Sequence, residues 1–384
     1  MAIPDEAGAG HRVHGMGLAM EAPTWPAITP EEAAAVLAHY PQAARIEALR
    51  WHSPRPFSAA TLIDTTEGML LVKRHDRRVR TAAGLAEEHR FIAYLAAAGA
   101  PVPEIWRTGQ GESAVALGEA TYEVHRQAPG ADLYRDRLSW TPFQSLAHAH
   151  AAGVSLARLH RASLGYDAPP RAVQPLVASF GILSATDPMA AAEAYVAARP
   201  ALAAFLAGHG WRRRLSSLFA AWGEGLAGHI AGQPPLWTHN DWHPSNLLWA
   251  ADDTVRTVFD FGLADRSCAA HDLAIAIERT AFAWLELGEG RDDAIADPAS
   301  ALSLIAGYEA MSPIDRAMME SVIAMLPLVH VEFALSEIDY FAGVVGDRDA
   351  AMLAWEGYLL GHADWFGSAA GRDFLAELRA GRKL

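Results

Sequence analysis

Apolar residues recur along this chain with two different periods, and the point where one gives way to the other divides it. Through residues 46–127 the apolar runs are short: 46–51, 59–64 and 69–73, then 105–107, 114–117 and 121–127. Runs of that length, the second and third joined by Thr65-Thr66-Glu67-Gly68, predict β-strands. One helix interrupts them over residues 84–98, where Leu85, Phe91, Ile92 and Leu95 recur at helical spacing. From Trp140 onward the pattern turns helical and predicts helices over 141–160, 187–206, 211–230, from about 271, and over 303–308, 313–340, 349–366 and 373–378. A short helix precedes the strands. Thr29-Pro30-Glu31-Glu32 offers an N-cap, a first-turn proline and acidic residues against the helix dipole, predicting helix to about Tyr40. Residues 1–26 are rich in Gly, Ala and Pro without periodicity and are expected to form a flexible tail.

Composition narrows the function classes. At 384 residues the chain is long for one core and suits two lobes. A net charge of −14, with no Lys/Arg-rich run carrying interleaved aromatics, disfavours a nucleic-acid partner. The single cysteine, Cys268, excludes an internal disulfide and a cysteine metal cluster, so a reducing, cytoplasmic setting is expected. The first residues hold no apolar stretch of signal-peptide length. The most apolar later segment, 322–335, is interrupted by Pro327, His330 and Glu332, so a buried helix is expected there and no membrane partner.

Candidate chemistry concentrates in residues 236–264. His239, Asp241 and Asn246 stand in the pattern His-x-Asp-x-x-x-x-Asn, and Val258-Phe259-Asp260-Phe261-Gly262 follows. Phosphoryl transfer is mostly positioning and charge neutralisation, and it needs these side chains in this order. One Asp orients the attacking hydroxyl and accepts its proton, a role that falls on Asp241. An Asn and a second Asp hold metal ions against nucleotide phosphates, and these are Asn246 and Asp260. Between them Leu247-Leu248-Trp249 and residues 255–259 flank the turn formers Asp252-Asp253, which predicts a β-hairpin with both metal-binding groups at one end.

These residues resemble the catalytic loop and metal-binding Asp of the aminoglycoside phosphotransferase and choline kinase-like family. The resemblance covers roughly Trp51 to Tyr340. It implies an α+β, two-lobed protein-kinase-like fold: an N-lobe over 27–127 with an antiparallel sheet and one helix, and a larger, mainly helical C-lobe over 128–384. It further implies ATP and Mg²⁺ as cofactors and a small-molecule hydroxyl as acceptor. By the family pattern Lys73 reaches the phosphates and is held by Glu88, which is followed by Leu95, Gly99 and Pro101-Val102-Pro103; Glu87 is the alternative. The loop over the phosphates has no glycine, and Ser58 with backbone amides would substitute. His125 to Gln127 would contact adenine, while His239 and Asp272, the latter in an Asp-Leu-Ala motif, would support the catalytic loop.

Three departures bear on function. Asn240 replaces the arginine of protein kinases and the glycine more usual in the family, and it bears on the loop's backbone angles. Gly262 and Asp272 leave no room for a long activation segment, which points to a small acceptor. Glu278, Glu332, Glu337 and Asp339 on apolar helices fit either a pocket for a cationic acceptor or a solvated face. A stress-type protein Ser/Thr kinase and a nucleotide-binding pseudokinase or scaffold are the alternative functions.

Overall fold

The computed structural model describes residues 11–172, 174–177 and 180–381. The chain divides into two compact units, one ending at Pro129 and taking in Thr257–Phe259, the other running from Gly130 to Arg256 and from Asp260 onward.

In the first unit β1 (Val13–His14) and β2 (Met20–Glu21) pair antiparallel. The expected tail 1–26 is therefore ordered where it is described, and its first ten residues lie outside the described ones. The physical reason is anchoring: the His14 amide donates to the Pro54 carbonyl at 2.8 Å, and Val13 is buried. Helix α1 (Pro30–Leu37) starts in a capping box in which Thr29 and Glu32 satisfy each other's amides. Glu32 also accepts from Arg74 at 2.8 Å and from the Tyr122 hydroxyl at 2.7 Å, which ties the helix to the sheet.

That sheet contains β3 (Ile46–His52), β4 (Ala59–Thr65), β5 (Gly68–Asp76), β6 (Val115–Leu117) and β7 (Ala120–Arg126), with α2 (Ala82–Ala97) between β5 and β6 in sequence. Its order is β3-β4-β5-β7-β6, all pairings antiparallel. Leu49, Ile63, Val72 and Val124 from successive strands join Val36 and Tyr40 of α1 in one core. Strand β5 runs three residues past Lys73, so the lysine lies within the strand. Residues 105–107 form no strand and make a single bridge, Ile105 to His125.

The second unit is mainly helical. It holds α3 (Leu146–Ser163), α4 (Pro188–Ala197), α5 (Pro200–Leu206), α6 (Trp211–Trp222) and α7 (Leu226–Ala231), then β8 (Pro235–Thr238), β9 (Leu247–Trp249), the first two residues of β10 (Val255–Val258), β11 (Asp265–Cys268) and α8 (Ala269–Thr280). Beyond these lie α9 (Pro298–Glu309), α10 (Arg316–Met325), α11 (Val331–Asp339), α12 (Arg348–Leu353), α13 (His362–Phe366) and α14 (Ala369–Ala380).

Several long predicted helices are broken, each at a residue that cannot continue one. Pro200 splits 187–206 into α4 and α5, which turn through 111°. Gly225, at φ 74°, separates α6 from α7, and Pro327 separates α10 from α11. Helix α3 begins at Leu146, where the Ser145 hydroxyl caps it on the His148 amide, and not at Thr141. Among the described residues no single helix is long and apolar enough to cross a membrane.

Helices α3 and α9 approach so closely that neither tolerates a side chain at the crossing. A Cβ on Gly153 would collide with the Leu304 carbonyl oxygen, and one on Gly307 with the carbonyl of His150. Gly153→Ala should therefore destabilise the chain by about 1–3 kcal/mol. Gly228→Ala, in α7 with nothing near the added methyl, should be neutral or stabilising. Thermal melts of the two variants check this; equal midpoints would contradict the close crossing.

Candidate active site

The candidate catalytic loop is strung between two pairs of strands. β8 pairs antiparallel with β11, setting Thr238 opposite Asp265, and β9 and β10 form the expected hairpin after a 3-10 turn over Pro244–Asn246. The hairpin's turn carries Asp253 at φ 61°, with the Asp252 carboxylate accepting from the Thr254 amide and hydroxyl.

The loop turns at Asn240, whose φ is 58°. A left-handed residue strains most side chains, and asparagine is among the few that adopt it readily. The substitution flagged in the sequence thus sits where glycine's freedom is needed. Its side chain is fixed as well: Oδ1 accepts from Thr238 at 2.8 Å and Ser267 at 3.2 Å, and Nδ2 donates to the Leu263 carbonyl at 3.3 Å.

Asp272, fully buried at the start of α8, holds this turn from behind. Its carboxylate accepts the His239 amide at 2.9 Å, the Asn240 amide at 2.8 Å and His160 Nε2 at 2.9 Å. Burial works against its charge, yet the hydrogen bond and charge of His160 and the backbone donors keep its carboxyl below the usual range. His160 is in turn oriented by the Tyr308 hydroxyl, 2.8 Å from Nδ1, across the α3–α9 crossing. His239 lies edge-on to Phe261, with centroids 4.8 Å apart, and its Nδ1 accepts from the Asp241 amide at 3.2 Å.

Asp241 follows the turn. Its Oδ2 accepts from Asn246 Nδ2 at 3.1 Å, and the same amide group donates to the Asp241 carbonyl at 3.0 Å. That engagement of nitrogen leaves the Asn246 amide oxygen as its remaining polar atom. Asp260 comes two residues after β10, half-buried and at a left-handed φ of 57°. An amide oxygen and carboxylate oxygens are hard donors suited to Mg²⁺, so the donor chemistry fits the ion the family implies. Arg171 steadies the segment beyond, donating to the carbonyls of Gly262 at 3.0 Å and Ala264 at 3.2 Å.

Sequence reasoning passed over Arg279. It is 3% exposed, forms an ion pair with Asp241 Oδ1, and lies 4.9 Å from the Phe333 ring centroid and 5.1 Å from that of Trp140. It lines a small cavity with Asn240, Glu278, His330, Phe333 and Tyr358. The available signal was the adjacent pair Glu278-Arg279 inside a wholly buried helix, a placement charged residues avoid without partners.

The four acidic candidates separate. Glu332 accepts from the Ile182 amide at 2.8 Å, and Asp339 lies 3.9 Å from Arg199. Glu278 accepts from His362 at 2.7 Å, and burial pushes its carboxyl up to about 7. Glu337 is fully buried, neither carboxyl oxygen has a hydrogen-bond partner, and burial pushes it up to about 8 against the opposing charge of Arg279.

In the first unit Lys73 is half-buried on β5, Glu88 lies on the buried face of α2, and Glu87 is only partly covered. Ser58 sits at the bend before β4, in a connection where Arg55 reaches His14 at 2.9 Å. The Gln127 amide already donates to the Met69 carbonyl at 2.9 Å, and the His125 side chain turns to Glu123 at 2.8 Å. These two adenine candidates are thus engaged within the sheet.

Comparison with known proteins places this geometry. Residues 54–314 match the description "Phosphotransferase enzyme family", and the chain belongs to that family. It is an enzyme of the phosphoryl-transfer class. A homoserine kinase of Gluconobacter oxydans is 27% identical over 72% of this chain and 77% of its own. One from Granulibacter bethesdensis is 26% identical over 81% and 86%. A microcompartment-associated aminopropanol kinase shares the fold at a TM-score of 0.59 and 18% identity, covering 89% of this chain and 99% of its own. The amicoumacin kinase hAmiN, solved with AMP-PNP and Ca²⁺, does so at 0.53 and 12% identity, covering 85% and 92%.

Glu337 yields a pH test. Its carboxyl is raised on folding from 4.5 to about 8, so as pH rises between those values the unfolded chain gives up a proton that the folded chain keeps. Its contribution to stability is complete below the unfolded value and is lost as pH rises toward 8. Glu337→Gln removes that loss. The variant's melting temperature should exceed the wild type's at pH 8 by several degrees more than at pH 5; a difference independent of pH would contradict the buried, partnerless placement.

Proposed function

We propose that this chain is an ATP- and Mg²⁺-dependent kinase whose acceptor is the hydroxyl of a small zwitterion, a hydroxy amino acid of the homoserine kind. The observation that carries the acceptor class is a pair of unsatisfied buried groups: Arg279, which is ion-paired to Asp241 and lines the cavity, and Glu337, whose carboxyl feels the charge of Arg279. Arg279 Nε–H and both oxygens of Glu337 lack hydrogen-bond partners. Leaving such groups unmade costs about 1–3 kcal/mol each, so they favour a ligand that completes them. A carboxylate answers the guanidinium, and an ammonium answers Glu337 or Glu278. The expectation of a merely cationic acceptor is thereby modified, since a buried arginine lines the same cavity. That two homoserine kinases are among the relatives agrees with this chemistry.

In this reading Asp241 accepts the acceptor's proton and orients its hydroxyl, while Arg279 and Asn246 hold the carboxylate in place. Asn246 and Asp260 would hold Mg²⁺, which neutralises charge on the nucleotide phosphates when bound. Lys73 and Glu88 serve the α- and β-phosphates by family resemblance. A protein acceptor is disfavoured by the short segment between Gly262 and Asp272, which includes β11 and leaves no long docking segment.

Asp241→Asn should lower turnover by more than about 10³-fold with nucleotide affinity nearly unchanged, as expected when a group acts mainly in the transition state. Retained turnover would refute its role. For the acceptor, ADP release is measured against homoserine, choline, an amino alcohol without a carboxylate, and an aminoglycoside. Homoserine should give the highest kcat/KM. Arg279→Met should erase the preference over the amino alcohol, a change of about 10–100-fold if one charge-assisted bond is lost. A preference that survives, or a best substrate lacking a carboxylate, would overturn the acceptor class while leaving kinase activity intact.

A further inference from the structure

Three histidines converge on one buried carboxylate in the first unit. Glu123 on β7 is 2% exposed. His89 of α2 and His125 of β7 both aim Nε2 at its Oε2, at 2.7 and 2.8 Å, while His75 of β5 approaches Oε1 at 2.9 Å. The phosphotransferase reading assigns none of these four side chains a task in concert. The ligand atoms of His89, Glu123 and His125 all lie within 4.8 Å of one another.

We propose that His89, His125 and Glu123 form a site for a divalent transition metal, zinc being the best fit, with His75 as the outer partner that orients the carboxylate. Two imidazole nitrogens and one carboxylate oxygen are the donor set of borderline-soft cations, and the set leaves a fourth tetrahedral position for water. Around Oε1, His75 supplies the hydrogen bond that a ligating carboxylate usually accepts, while His89 Nδ1 is buried without a hydrogen-bond partner. Zinc bonds of about 2.0–2.2 Å to N and O imply ligand edges of about 3.3 Å. The nitrogens then need to retreat from Oε2 by only about half an ångström. Access is provided by His125, whose side chain keeps 12% of its surface exposed while His89 keeps 1%.

The competing explanation is a hydrogen-bond network in which the three imidazoles donate to Glu123 and the charge of His125 favours its carboxylate. A metal ion differs in binding through bare imidazole nitrogens, which metal retention and X-ray absorption read directly. The ion would pin α2 to β7 at His89, next to Glu88, so its natural role is to fix the orientation of that helix.

The test uses the tag-free, full-length chain stripped with a chelator, then loaded with Co²⁺ or Zn²⁺ and desalted. Wild type should retain one metal per chain by elemental analysis and show visible Co²⁺ absorption. His125→Ala and Glu123→Gln should each weaken binding at least tenfold while melting cooperatively without metal. His330→Ala, in the second buried His/Glu cluster of Glu278, His330 and His362, should retain it. X-ray absorption of zinc-loaded wild type should show two imidazoles and oxygen ligands, a readout that does not depend on the variants folding. No retained metal in wild type, retention unchanged in His125→Ala and Glu123→Gln, or loss with His330→Ala would each overturn the site.

Discussion

The carboxylate of Asp272 is the constraint on which the candidate catalytic loop depends. It has no solvent exposure, and it accepts two consecutive amides, of His239 and Asn240, that the loop's turn leaves without strand partners. A left-handed asparagine costs of order 1 kcal/mol or more and persists only where surroundings over-determine it. Here the surroundings are Asp272 beneath the backbone and Thr238, Ser267 and Leu263 around the side chain. His160 completes the acceptor's bonds, and its own placement needs α3 and α9 to meet at two glycines. The chain of dependence thus runs from a backbone contact between helices to the direction in which Asp241 points.

Charge is handled differently in the two buried polar clusters. Arg279 compensates the Asp241 carboxylate directly, while Glu278 and Glu337 carry raised carboxyls and Glu337 lacks hydrogen-bond partners. Incomplete satisfaction beside a cavity is how a binding site differs from a structural core, because a ligand supplies the missing partners. Around Glu123 the partners are imidazoles from α2, β5 and β7, the donor set on which the proposed metal site rests.

Much of this was legible in the sequence, for identifiable reasons. The strands of the first unit, the α1 cap and the hairpin between Asn246 and Asp260 follow from short-range rules: apolar runs, a Thr-Pro-Glu-Glu start, an Asp-Asp turn. The catalytic-loop residues stand in one contiguous stretch, so their order could be read directly. Arg279, Glu123, His75 and His89 could not be found that way, since each has a partner on an element tens of residues distant. The broken helices were foreseeable at Pro200 and Pro327 but were hidden by apolar residues continuing at helical spacing on both sides. The order of residues 11–26 depends on long-range contacts, to Pro54 and Arg55 among others, that no local pattern announces.

The most direct test is amide hydrogen exchange at His239 and Asn240 in Asp272→Asn against wild type. Exchange at these two amides should accelerate at least tenfold, corresponding to about 1.4 kcal/mol of lost local stability, while Trp237 in β8 keeps its protection. Unchanged exchange at His239 and Asn240 would show that the loop holds its turn without the buried carboxylate and would contradict its central place.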